Sequence, residues 1–223
     1  MRQKVFVEIG VCDFDTLQPL ERNGWKGYYV EPVKEYADKL RCRTPQGCEP
    51  LTGDVTQCAI SSHDGTIEFY VSRSDQEEWV KGISHAVKQR GTKLLEIGNN
   101  RKLVSRKITV PCYTLQSFCK MKDIQYIDFL KVDTEGHETD IFEAYDWSVH
   151  PTMIKLEHFH IDDLNMKRIL ENEEIFANEP DKKTEKRLKR QIFDQAIYLM
   201  EKPENCIDPL NYQTSEQLAQ KFK

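Results

Sequence analysis

Apolar positions along the chain fall into two patterns. Three short runs are continuous rather than alternating: Val5–Ile9, ending at Gly10; 28–30, ending at Glu31-Pro32; and Ile127–Val132, ending at Asp133. Continuous runs of this length predict strands buried on both faces, as in a parallel sheet. The second and third runs are each followed by a polar stretch and then by apolar residues at helical spacing. These are 33, 36, 37 and 40 after the second run, and Ile141, Phe142 and Tyr145 within 137–145 after the third. Strand followed by helix, repeated, predicts an α/β fold with a mostly parallel sheet and helices on both faces. Further strands are predicted at 55–61, 66–72, 107–111 and 153–157, and again at 193–200 beyond a highly charged stretch. The pair 66–72 and 107–111 predicts an inserted antiparallel hairpin, and the polar segment 73–106 between them reads as a helix plus a mobile loop. Residues 203–223 read as a tail carrying a short helix near 215–222.

Composition narrows the possibilities. A chain of 223 residues fits one α/β domain, here 1–202 with the tail appended. The charge is 32 Lys+Arg against 37 Asp+Glu, a net of −5, which argues against a nonspecific nucleic-acid binder. No apolar run approaches the roughly 20 residues of a membrane helix. The stretch that follows Met1-Arg2-Gln3-Lys4 is too short for the core of a signal peptide. Seven cysteines without a CxxC pair predict reduced thiols and a cytoplasmic setting, with Cys42 and Cys48 as the pair that oxidation would join.

In an open α/β sheet, ligands bind beyond the carboxyl ends of the strands, so those residues carry the chemistry. The first end, Glu8-Ile9-Gly10-Val11-Cys12-Asp13, has a single glycine and is not GxGxxG; Phe14 stands where a later glycine would be wanted. Pyrophosphate needs free backbone N–H groups at such a turn. An adenosyl ligand without phosphate, such as S-adenosylmethionine, suits this loop better. Glu31 lies about 20 residues beyond the glycine, where a carboxylate accepts both ribose hydroxyls; as an acidic residue at a helix start it also has a plain structural explanation.

Other features carry two explanations each. Glu157-His158-Phe159-His160 contains an HxH, either a transition-metal element or a pocket histidine followed by a solvent-facing one. If their strands are neighbours, Asp133 and Glu157 come together, able to share a proton, orient His158 or hold a divalent metal through oxygen. The run 182–190 is a solvated helix face or a contact for an anionic acceptor. Trp25 and Trp147 read as packing residues, and Trp79 as one able to stack on a sugar ring.

Several blocks resemble a known family, the FkbM-type methyltransferases. They are Val5-Phe6-Val7-Glu8-Ile9-Gly10 with Asp13, Gly24-Trp25-Lys26-Gly27-Tyr28-Tyr29-Val30-Glu31-Pro32, and Cys58-Ala59-Ile60-Ser61 before Gly65. The most specific is Ile127-Asp128-Phe129-Leu130-Lys131-Val132-Asp133-Thr134-Glu135-Gly136-His137-Glu138, followed by Ile154-Lys155-Leu156-Glu157-His158. Cys12 and Phe14 depart from the family pattern, which usually has Asn and Gly there. The resemblance implies a Rossmann-like, doubly wound, mostly parallel seven-stranded sheet and S-adenosylmethionine-dependent O-methylation of a carbohydrate or glycan hydroxyl. Glu8, Gly10 and Asp13 would shape the pocket for the methionine part of the cofactor. Glu31 would hold the ribose, the backbone at Cys58 and Ala59 would lie beside adenine, and Asp133 would face the sulfonium. Asp133, Glu157 and His158 are the catalytic candidates, and Ser84, His85, Glu135 and His137 the acceptor contacts, with 73–106 forming part of the acceptor side. The rivals are a metal-dependent hydrolase using Asp133, Glu157, His158 and His160, and a noncatalytic cofactor-binding module. Because the first strand starts so near Met1, the chain is also expected to be one domain of a larger glycan-building protein.

Overall fold

A computed structural model describes residues 2–13, 17–42, 51–72, 82–86, 104–157 and 195–199. From the amino end, β1 (Val5–Ile9) leads through α1 (Gln18–Arg22) to β2 (Lys26–Val30), and α2 (Lys34–Cys42) leads to β3 (Asp54–Thr56). Three strands follow: β4 (Ala59–Ile60), β5 (Gly65–Ser72) and β6 (Val104–Tyr113). Then come α3 (Leu115–Met121), β7 (Ile127–Val132), α4 (Glu138–Glu143), β8 (Pro151–Glu157) and β9 (Gln195–Leu199).

The main sheet has the order β3-β2-β1-β7-β8-β9. Its first five strands run parallel and β9 pairs antiparallel with β8. The strands read as continuous apolar runs because both faces are covered. On one face Val7, Val30, Leu130 and Ile154 pack with Phe118 of α3 and Phe142 of α4. On the other, Phe6, Tyr29 and Phe129 pack with Leu20 of α1 and Leu40 of α2. Each such side chain, fully buried, contributes roughly 1.5–3 kcal/mol. Trp25 and Trp147 are buried among these clusters, as packing residues should be. Among the described residues no helix is long and apolar enough to cross a membrane.

A second, smaller sheet has the order β4-β6-β5, with β4 parallel and β5 antiparallel to β6. Its apolar face (Phe69, Val71, Val110) packs against Val33 and Tyr36 near the start of α2. This corrects one expectation: 55–61 is not one strand but two, β3 in the main sheet and β4 in the small one. The Thr56 carbonyl accepts from both Glu31 N, at 3.1 Å, and Cys58 N, at 3.2 Å, so the chain turns there and changes sheet. Six strands of the main sheet are seen among the described residues, against the seven expected. α1 and α3 are additions to the expected elements. Pro19 stands in the first turn of α1 and Thr114 caps α3, its hydroxyl accepting from Ser117 N at 3.3 Å. Most of 73–106, all of 158–194 and the tail 203–223 lie outside the described residues, and with them Phe14, Cys48, Trp79, His158, His160 and the basic run.

Candidate functional site

Strand order reverses between β1 and β7, and a crevice at the carboxyl ends of the strands is the expected consequence. A cleft with about 520 Å³ of empty space lies there, within the range of small-molecule sites. Its wall is built from the loops after β1 (Gly10, Cys12), β2 (Glu31, Pro32) and β7 (Asp133, Thr134, His137), with Cys58 and Ala59 at β4 and Gly82 and Ser84 beyond β5.

The floor is fixed by hydrogen bonds that continue the sheet past its strand ends. Gly10 N donates to Val30 O and Asp133 N to Ile9 O, each at 3.0 Å. Gly10 has φ of +81°, and a Cβ there would lie 1.8 Å from the Asp133 carbonyl oxygen. A glycine is therefore required for two reasons, the left-handed backbone and the close approach of two loops.

Glu31 is 4% exposed and belongs to the cleft wall. One carboxylate oxygen accepts from Cys12 N and the other from Val33 N, each at 2.7 Å. Burial drives its pKa up to about 8, against the pull of the two N–H groups. Cys12 reaches Glu31 because it too is left-handed, with φ of 54°. Burial beside Glu31 pushes the Cys12 thiol up.

The loop after β7 has two consecutive left-handed residues, Glu135 at φ 60° and Gly136 at φ 101°. Glu138, wholly buried, holds it: its carboxylate accepts from Thr134 N at 2.6 Å, Thr134 Oγ1 at 2.8 Å and Gly136 N at 2.9 Å. That network fixes His137, whose Nε2 lies 3.1 Å from Ser61 Oγ and whose Nδ1 lies 3.1 Å from Asp140.

Behind Asp133 is a charged line inside the sheet. Lys131 Nζ lies 3.0 Å from Glu8 and 3.5 Å from Asp133. Burial works to lower the Lys131 ammonium, but Glu8 and Asp133 outweigh it and raise it. Lys155 stands in register beside Lys131 on β8, and burial plus the Lys131 charge bring it down to about 8.

The structure thus brings Gly10, Glu31, Cys58, Ala59, Asp133, Ser84 and His137 to one cleft. Glu8 is buried and turned to Lys131 and to Leu17 N rather than to the cleft wall. Asp13 pairs with Lys39 at 3.0 Å. His85 is wholly buried; its Nδ1 meets Ile83 O at 2.6 Å and its ring stacks on Tyr70. Neither Asp13 nor His85 is part of the wall. β7 and β8 are neighbours with Val132 opposite Leu156, so the backbones of Asp133 and Glu157 continue that register. No group of three or more His, Cys, Asp or Glu that could hold a metal occurs among the described residues. Lys131, Glu138, Ser61 and Asp140 were not singled out from sequence. A lysine interrupting a buried strand was the available signal for the first, and a glutamate opening a helix for the second.

No curated protein and no solved structure matches the chain. The family model described as Methyltransferase FkbM domain matches residues 4–188. With its sheet order reversing at a cleft built around the Asp133–Glu138 loop, the chain belongs to the FkbM methyltransferase family.

Proposed function

We propose that this methyltransferase uses S-adenosylmethionine and transfers its methyl group to a hydroxyl oxygen of a carbohydrate or glycan. The observation that carries the reading is Glu31. A buried carboxylate at the end of β2, with one backbone N–H on each oxygen, keeps lone pairs for the two hydroxyls of a ribose. The same geometry disfavours a dinucleotide, because the Cys12 N–H that a phosphate would need is already taken by Glu31. Ala59, small and on the wall beside Cys58, leaves flat space for a purine.

When bound, S-adenosylmethionine supplies a methyl carbon made electrophilic by its sulfonium charge. The chain's residues would bind and orient around it. Glu31 holds the ribose, and Gly10 lets the loops after β1 and β7 close at the methionine end. Glu8 supports that end from behind through Lys131, and Asp13 through its ion pair with Lys39. Asp133 presents a carboxylate to the cationic centre. Glu135, His137, Ser84 and His85 would form or support the acceptor side together with 73–106, and Glu157 and His158 would complete the ring of strand-end residues. Holding the acceptor oxygen in line with the methyl carbon accounts for most of the acceleration. Residues 1–202 would constitute one methyltransferase domain, with 203–223 as an appended tail.

The test is mass spectrometry of a glycan and nucleotide-sugar panel incubated with the chain and isotopically labelled S-adenosylmethionine. The reading expects one sugar hydroxyl to gain a labelled methyl group. Label on nitrogen, sulfur or carboxylate, or on no member, would overturn it.

A further inference from the structure

We propose that His137 is the general base of the transfer and that Asp140 is the residue that aims its ring; this rests on the O-methyltransferase reading above. His137 belongs to the cleft wall together with Asp133. Its two ring nitrogens have different partners: Nδ1 faces the Asp140 carboxylate at 3.1 Å and Nε2 faces the Ser61 hydroxyl at 3.1 Å. The hydrogen bond with His137 holds the Asp140 carboxyl below the usual carboxylate range, so it is ionised at neutral pH and can only accept. The Nδ1 proton therefore goes to Asp140, and the Nε2 lone pair is left to take a proton from a hydroxyl. A serine, a histidine and an aspartate use the same division of labour in acyl transfer.

Position argues for this residue over its neighbours. Asp133 is 3.5 Å from the Lys131 ammonium, which stabilises its carboxylate and weakens it as a base. Glu31 is committed to two backbone N–H groups. His137 sits on a loop that Glu138 ties at three donors, so the ring is held without a ligand. Ser61 is 1% exposed, and its backbone N is fixed to Tyr113 O at 2.8 Å. It marks the direction of the Nε2 lone pair but is not itself on the cleft wall. In the reaction the acceptor hydroxyl takes over from Ser61 as donor to Nε2. Its oxygen bonds to the methyl carbon while the carbon–sulfur bond breaks and leaves its electron pair on sulfur. The hydroxyl proton passes to Nε2 and then to solvent. The other titratable groups facing the ring are Asp133 and Glu135 on its own loop and Glu31, Cys12, Tyr36 and Cys58 across the cleft.

The experiment compares the full chain with His137→Gln, Asp140→Asn, Asp140→Glu and Ser61→Ala. It follows labelled S-adenosylmethionine turnover on the glycan methylated in the panel, S-adenosylhomocysteine binding, thermal melting and the ¹⁵N shifts of the histidines. His137→Gln is expected to lose about 10²- to 10⁴-fold in kcat. It should still bind S-adenosylhomocysteine within about threefold, since the base touches the acceptor and not the donor. The wild-type rate should rise with pH through the imidazole range, and that limb should vanish in His137→Gln. Asp140→Asn should lower kcat about tenfold at unchanged KM, with Asp140→Glu recovering part, because a positioning residue acts on the barrier alone. The His137 ¹⁵N shifts should show the proton on Nδ1 in the wild type and lose that preference in Asp140→Asn. Ser61→Ala should keep the rate within about threefold, as expected for a residue outside the reacting set. Methylation by the wild type with full kcat retained in His137→Gln would overturn the assignment and leave the O-methyltransferase reading standing. No methylation of any panel member would overturn both. A Ser61→Ala loss as large as that of His137→Gln, or covalent labelling of Ser61 by a fluorophosphonate, would assign the three residues to a different chemistry and overturn it as well.

Discussion

Glu31 makes the binding of the methyl donor a proton-linked event. In the free protein its carboxyl titrates at about 8, because burial outweighs the N–H groups of Val33 and Cys12. At pH 7 roughly nine-tenths of the molecules therefore carry a proton there, by the definition of a pKa. Two ribose hydroxyls donating to the two oxygens favour the ionised form. Binding of S-adenosylhomocysteine at pH 7 should then release close to one proton. Affinity should tighten by about tenfold per pH unit up to about 8 and then level off, about 1.4 kcal/mol per unit. The sign for stability is opposite. The folded state holds its proton more tightly than the unfolded chain, whose ordinary value is 4.5. This contribution is full below that pH and is lost as pH rises through about 8. Isothermal titration in buffers of different ionisation enthalpy measures the released proton directly, and Glu31→Gln should abolish both the release and the pH slope. Binding without proton release between pH 6.5 and 7.5 (about one unit below the group's midpoint), or the same release from Glu31→Gln, would refute the reasoning.

Three further outcomes follow from the same geometry. Gly10→Ala must relieve the 1.8 Å approach to Asp133 O at a φ of +81°. Strain and overpacking together cost about 2–5 kcal/mol, so the melting temperature should fall and S-adenosylhomocysteine binding should weaken; an unchanged variant would mean the loops after β1 and β7 do not meet. Lys131→Met leaves Glu8 buried beside no ammonium and should cost about 3–5 kcal/mol in urea unfolding, part of which Glu8→Gln in the same chain should restore. Asp128 accepts a fork from Arg2 at 2.6 and 2.8 Å and Val5 N at 2.8 Å. Burial would raise its carboxyl, but Arg2, Val5 N–H and Lys4 together hold it low. Asp128→Asn should therefore cost about 1–3 kcal/mol at neutral pH, a deficit that closes as acid titrates the wild-type carboxylate below its ordinary 3.8.

The parts of this molecule that sequence foretold are those written locally. Val5–Ile9 and Ile127–Val132 are buried on both faces and therefore read as unbroken apolar runs, and α2 shows its buried face as Tyr36, Ala37 and Leu40. Glu31 and Asp133 could be placed because each ends such a run. α3 was also legible, since Thr114 and the apolar spacing of Leu115, Phe118 and Cys119 form a capped helix signal. The split between β3 and β4 was not, because it depends on one carbonyl, that of Thr56, meeting an N–H from another strand. The same holds for Lys131 with Glu8, 123 positions apart, and for His137 with Ser61, 76 apart. Those pairs exist only once β1, β7 and the small sheet have come together. His85 shows the converse. Beside Ser84 it looks like a contact residue, yet the backbone bridge to Tyr70 buries it completely.

The central claim is that the cleft at the ends of β1, β2 and β7 holds the methyl donor. Equilibrium dialysis of radiolabelled S-adenosylmethionine against the full chain and against Ala59→Trp tests it most directly, since Ala59 lines the cleft beside Cys58. The account predicts one molecule retained per wild-type chain and none by a variant that still melts cooperatively. A wild type that retains no label, or a variant that retains as much, would contradict it.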